Sequence, residues 1–175
     1  PVSSVPTTVL TFRELHPLDV SVRNAGVQAM SFEDIRWGRC DIKSVNLLAN
    51  VLARQRAKEA GVFEAILVRE GTVTEGSVSN VMVVRNGAVQ TAPEGRRILS
   101  GVTRAIVLDL ARKEGIPVAE SFVTREELLA ASEVFLTGTT VEVLPVVRVD
   151  GHAIGSGSPG SVSQLLSRRF EALVG

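Results

Sequence analysis

The sequence predicts one domain of mixed α/β class, and three observations carry that prediction. The 175 residues are 45% hydrophobic, enough for one substantial core and short for two. Short apolar runs flank two Gly-containing turns, "REGT" and "RNGA", so residues 63–93 read as strands joined by hairpins. Elsewhere the apolar period changes, and residues 44–61, 101–115 and 161–173 read as helices.

Taken in order, the chain opens "PVSSVPTTVL", without methionine and rich in Pro, Ser and Thr. Residues 1–25 are therefore expected to be a linker and an entering strand, with "TTVLTFREL" (7–15) as the strand, in a piece of a longer protein. "GVQAMSFEDIR" (26–36) alternates loosely and is expected to be extended. Ser44 is the expected N-cap of a helix whose Val45, Leu48, Leu52 and Ala53 share a face, and Gly61 its stop. "GVTRAIVLDLARKEG" (101–115) places Val102, Ile106, Leu110 and Ala111 on one helical face. Thr124 and Glu127 have capping-box spacing. Residues 132–151 form two strand-like runs about a Gly/Thr turn, and residues 161–173 an amphipathic helix.

Composition excludes several functions. Nineteen basic and nineteen acidic side chains give no net field to attract nucleic acid or an anionic membrane. No apolar run approaches the roughly 18–20 residues that span a bilayer. Cys40 is the only cysteine, so no internal disulfide can form and a cytoplasmic setting is expected. His16 and His152 lack metal spacing, G-x-S-x-G and the phosphate-loop pattern are missing, and "GHAIGSG" (151–157) lacks a strand-to-helix setting. No metal is expected. Cys40 and Trp37 are read as packed, the latter under the Lys43 loop, and His152, Arg96 and Arg97 as solvated.

What remains suits an anionic cofactor. "RRILSGVTRAIV" puts Gly101, Val102 and Thr103 at a helix start, where free N–H groups and the dipole attract anions. "LTGTTVEV" offers further donors at Gly138, Thr139 and Thr140. Lys43, in "WGRCDIKSVN", could be a surface charge, a salt-bridge partner or a nucleophile, and Glu75, in "TEGSVSN", a solvated charge or a cleft carboxylate. A desolvated lysine can take an aldehyde, and a carboxylate can keep a pyridine nitrogen protonated. The residues alone leave these alternatives open.

Four blocks, "RWGRCDIKSVNLLANVLARQRAKEAG", "EAILVREGTVTEGSVSNVMVV", "ILSGVTR" and "EVFLTGTTVEVLPV", resemble the class IV (fold type IV) aminotransferases that use pyridoxal 5′-phosphate. Within that class they are most similar to the D-amino-acid (D-alanine) transaminase group. The resemblance runs from about Gly26 to the C-terminus. It implies a cofactor-binding C-terminal domain over residues 26–175, with a barrel-like set of strands flanked by helices.

It also implies roles. Lys43 would form the Schiff base and move the substrate proton, and Glu75 would pair with the pyridine nitrogen. Val102, Thr103 and Thr139 would bind the phosphate, with Arg36 near it and Leu99 packed on the ring. Ser79 and Asn80 would hold the Glu75 loop. The activity implied is transfer of an amino group between an amino acid, D-alanine foremost, and a 2-oxo acid. Branched-chain L-aminotransferases and aminodeoxychorismate lyases share these residues and stay as alternatives, as does a cofactor-binding fragment without activity. The family's small N-terminal domain has no counterpart in this sequence. A homodimer, the missing domain, or both are the expected partners.

Overall fold

A computed structural model describes residues 5, 7–12, 14 and 17–174. The described elements run α1 (Val20–Ala25), β1 (Val27–Glu33), α2 (Leu48–Glu59), β2 (Glu64–Arg69), β3 (Thr72–Gly76), β4 (Asn80–Arg85), β5 (Ala88–Thr91) and α3 (Val102–Lys113). There follow β6 (Val118–Glu120), β7 (Val123–Thr124), α4 (Arg125–Leu129), β8 (Glu133–Gly138), β9 (Glu142–Val149), β10 (His152–Ala153) and α5 (Ser161–Val174). The class is mixed α/β, as expected.

The strands form one sheet in the order β6-β5-β4-β8-β9-β1-β2-β3-β7, with β10 beside β9. β1 runs parallel to both β2 and β9, and β5 parallel to β6. Val81 and Val83 of β4 share one buried cluster with Ile66 of β2 and Val73 of β3. Strands so far apart in the ladder can meet only if the sheet curls, and these side chains fill its concave side. Because strand side chains alternate, the intervening Met82 and Val84 face outward, where α3 and α5 cover them with Leu108, Leu166 and Phe170. The outer face of β1 and β2 carries α2. Strands curled around a core and flanked by helices match the barrel-like expectation.

Both hairpin turns form as the sequence implies. Glu70 and Gly71, then Asn86 and Gly87, have consecutive positive φ angles of 52°, 75°, 50° and 76°, the pattern of a two-residue turn matched to strand twist. The Thr124–Glu127 capping box is present, with the Glu127 N–H donating to Thr124 Oγ1 at 3.1 Å and the reverse bond at 2.9 Å. Gly61, at φ 70°, follows the C-cap of α2.

Five expectations change. Residues 7–12 and 14 join no ladder; Val9, Leu10 and Phe12 stay exposed, because a β-branched run without a neighbouring strand has nothing to pack on. Arg13, Leu15 and His16 lie outside the described residues. Ser44 does not cap α2, whose N-cap is Leu47; its hydroxyl accepts from the Asn46 N–H instead. The stripe Val45, Leu48 and Leu52 faces away from the sheet, which α2 meets with Ala53 and Ala57. On α3 the covered face is Thr103, Val107, Leu108 and Ala111, while Val102 is exposed. Trp37 is also 39% exposed rather than packed, whereas Cys40 is buried and His152 exposed as read. Helix α1 has no counterpart among the expectations, although Asp19 caps it through the Ser21 N–H and Gly26 ends it. No described helix is long and apolar enough to cross a membrane.

Candidate active site

The loop after β3 organises the site. Glu75, near the end of β3, is 6% exposed. Its Oε2 accepts from the Leu99 N–H at 3.0 Å and from Asn80 Nδ2 at 3.1 Å, and its Oε1 pairs with Arg36. Asn80 Nδ2 also donates to the Leu99 carbonyl at 2.9 Å. One amide thus ties the carboxylate to the irregular segment leading into α3.

The same asparagine touches the α3 N-terminus. A Cβ on Gly101 would lie 2.1 Å from Asn80 Oδ1, so only glycine fits there without displacing it. Gly101 is the N-cap, and no side chain caps the helix, so its first N–H groups are open to an anion. At Gly138, the last residue of β8, a Cβ would lie 3.7 Å from the Val78 carbonyl oxygen, and Thr139 beside it is exposed. Thr137, opposite Asn80 in the β4–β8 ladder, has a buried Oγ1 with no hydrogen-bond partner among the described residues. A buried hydroxyl left so costs free energy that a bound group or water relieves.

Lys43 lies in the irregular stretch between β1 and α2, exposed and ion-paired to no described carboxylate. Two bonds hold that stretch against the site. The Cys40 N–H donates to the Arg96 carbonyl at 2.9 Å, and Asn50 of α2 donates to the Ser77 carbonyl at 2.8 Å. The lysine therefore sits on a segment pinned at one end to the residues leading to Leu99 and at the other to the Glu75 loop.

Arg36 is placed differently from what the resemblance implies. Its bonds go to Glu75, to Asp34 at 2.9 Å, and to the Arg97 carbonyl at 3.0 Å, with none to Val102, Thr103 or Thr139. It belongs to the Glu75 end. Burial works against the Arg36 charge, but the Asp34 hydrogen bond and the Glu75 and Asp34 carboxylates outweigh it and hold the guanidinium firmly charged. The two carboxylates that share it diverge. Burial pushes Glu75 above the ordinary carboxylate range, and Arg36 with the Leu99 amide only partly offsets it. Burial also acts on Asp34, yet Arg36 and Thr74 together pull it below that range.

Asp34 and Glu64 are the structural parts of the site that sequence reading passed over. Asp34, two residues before Arg36, salt-bridges both Arg36 and Arg69. Its spacing from Arg36 was the available signal. Ser79, assigned to the Glu75 loop, does lie there: it donates to buried Glu64 at 3.2 Å. Leu99 contributes its backbone to Glu75 and is half-buried.

Comparison with known proteins follows the same outline. Residues 1–149 match the family model for amino-transferase class IV. The chain is 52% identical over 139 residues to a D-alanine aminotransferase of Bacillus licheniformis, covering 79% of this chain and 49% of that protein. It is 40% identical over 174 residues to one of Staphylococcus haemolyticus, covering 99% and 62%. The chain thus spans between about half and three-fifths of these relatives' length. Among solved structures, the branched-chain amino acid aminotransferase of Escherichia coli superposes with a TM-score of 0.81 at 31% identity, covering 93% of this chain and 55% of that one. The branched-chain enzyme of Thermobaculum terrenum in its PLP form also gives 0.81, at 30% identity, covering 90% and 54%. With five-sixths of its length matched by one family model, this chain belongs to the class IV aminotransferases.

Proposed function

We propose that this chain is the cofactor-holding part of a D-amino-acid aminotransferase that uses pyridoxal 5′-phosphate. Asn80, which joins the buried Glu75 carboxyl to the uncapped α3 N-terminus, is the observation behind it. A flat, protonatable ring carrying a phosphate fits that arrangement, with a buried carboxylate at one end and free N–H groups at the other. The unpartnered Thr137 hydroxyl is a further sign that the cradle is built for a guest.

When bound, the cofactor supplies an aldehyde that takes an amine and a ring that accepts an electron pair. The chain's own groups have separate tasks. The Lys43 amine would be the base, its Nζ taking a proton from the substrate α-carbon and giving it to the former aldehyde carbon, two bonds away across the linking nitrogen. Its rigid backbone pins and mobile tip suit that alternation. Glu75 holds a proton at the ring nitrogen, and Arg36 keeps this buried carboxyl from rising further out of its ionised form. The first N–H groups of α3 at Val102 and Thr103, the Thr103 hydroxyl and Thr139 receive the phosphate. Leu99 covers the ring, and Ser79 and Asn80 fix the loop.

The substrate assignment, a D-amino acid such as D-alanine with a 2-oxo acid, is supported by relatives named D-alanine aminotransferase at up to 52% identity. A branched-chain L-amino-acid substrate is the second reading, favoured by the solved structures at 30% and 31% identity. Amino transfer from D-alanine with none from L-isoleucine, in the protein carrying an N-terminal half, is expected; the opposite preference overturns the substrate class. Ile42, Val45, Leu47, Leu48, Val51 and Leu52 expose an apolar surface beside Lys43, which suits cover by an N-terminal domain or a second copy. A reducing cytoplasm suits the single free, buried cysteine.

A further inference from the structure

Glu64, the first residue of β2, is fully buried, and no described cation pairs with it. A buried carboxylate is costly unless donors surround it. Here it accepts from the Ser77 N–H at 3.2 Å, the Ser77 hydroxyl, the Ser79 hydroxyl at 3.2 Å and the Ala65 N–H at 3.2 Å. These donors belong mostly to the short connection between β3 and β4. That connection is tight: the Gly76 N–H donates to the Ser79 carbonyl at 2.7 Å, and a Cβ on Gly76 would lie 2.2 Å from Ser79 Oγ.

Ser77 is where two halves of the site meet. Its N–H and hydroxyl go to Glu64, while its carbonyl accepts from Asn50, seven residues beyond Lys43. Glu75 stands two residues before it, and Asn80, which holds Glu75, three residues after. Glu64 touches neither end itself. Strand β2, rigid in the sheet, reaches both through one serine.

We propose that Glu64 is a positioning residue that clamps Ser77 and thereby sets where Lys43 stands relative to Glu75. The role rests on the cofactor reading above. Without the clamp, the connection loses its fixed donors, and both the Asn50 bond to α2 and the Asn80 bond to Glu75 become free to shift. Small displacements of this kind weaken binding and catalysis far beyond the energy of the lost contact.

Hydrogen exchange and cofactor uptake test it together. In the cofactor-free chain, Glu64→Gln is expected to speed amide exchange in residues 76–80 and the first turn of α2 at least tenfold, leaving β8 and β9 unchanged. With pyridoxal 5′-phosphate added, its affinity, read from visible absorption, should fall at least tenfold. Ser77→Ala should reproduce both effects and add nothing to Glu64→Gln in the double variant, and it carries the test if Glu64→Gln does not fold. Unchanged exchange, or exchange raised evenly through the sheet, overturns the clamp. Local loosening with unaltered cofactor affinity overturns its link to the site. A wild-type chain that takes up no cofactor overturns the functional reading, and the exchange data still decide the clamp.

Discussion

Helices α2 and α3 are both twelve residues long, and each leads away from a loop of the site, yet they meet the sheet in different ways. α3 lays Thr103, Val107, Leu108 and Ala111 against β4, β5 and β8, with α5 packed beside it. α2 touches β1 and β2 through two alanines and turns its larger apolar residues outward. The end of the site proposed for the phosphate is therefore built on a core formed by this chain's own described elements. Lys43 lies on the stretch that leads into α2, whose outer apolar surface no described residue covers. A site whose mobile base sits at the edge of one unit can be closed by another, while its anchor stays rigid.

Substitutions in the two helices should diverge most in stability. Leu108→Ala is expected to cost about 2–5 kcal/mol in denaturant unfolding, as a buried leucine leaving a cavity does. Leu52→Ala, on an exposed face, should cost under about 1 kcal/mol. Equal losses would break the comparison.

Asp34→Asn comes next, at about 3 kcal/mol, because it removes one partner of the buried Arg36 bridge. Its sign with pH is fixed. Asp34 sits below its ordinary 3.8 in the folded chain, so its contribution is complete above that value and is lost as pH falls through the lower, folded one. Glu75 acts oppositely: raised by burial, it favours the fold at low pH and loses that contribution as pH rises through its folded value. The acid limb of the stability profile should shrink in Asp34→Asn, where Asp150 and Glu120 still contribute to it, and stay undiminished in Glu75→Gln.

Thr103→Val removes one hydroxyl donor from the α3 end while preserving volume. A drop of about tenfold in pyridoxal 5′-phosphate affinity, near ~1.5 kcal/mol, is expected by absorption titration. The smallest stability effect belongs to Leu48→Gln, within about 0.5 kcal/mol, but it should weaken self-association in sedimentation if a second copy covers α2.

Much of this was legible beforehand, for local reasons. The turns at Glu70–Gly71 and Asn86–Gly87 and the Thr124 capping box are written in adjacent residues, as is the uncapped start of α3. Periodicity identifies α2 as a helix, but a period says only that a face is apolar, not that this chain covers it. Hence it puts Val45 and Leu52 on the wrong side. Lys43 and Glu75 stand in recognisable motifs; the Arg36–Glu75 pair is not legible, because 39 residues separate the two and the pairing of β1, β2 and β3 brings them together. Glu64 looks like the first residue of an apolar strand. Its buried partners are two serines of the β3–β4 connection, which one-dimensional spacing does not reveal.

The most direct test is a visible absorption spectrum of the chain with pyridoxal 5′-phosphate, before and after borohydride reduction, beside Lys43→Ala. A new band in the wild-type chain that reduction fixes to Lys43, and that Lys43→Ala lacks, is the predicted result. A folded wild-type chain with no such band, or label fixed equally in Lys43→Ala, would contradict the assignment of this site.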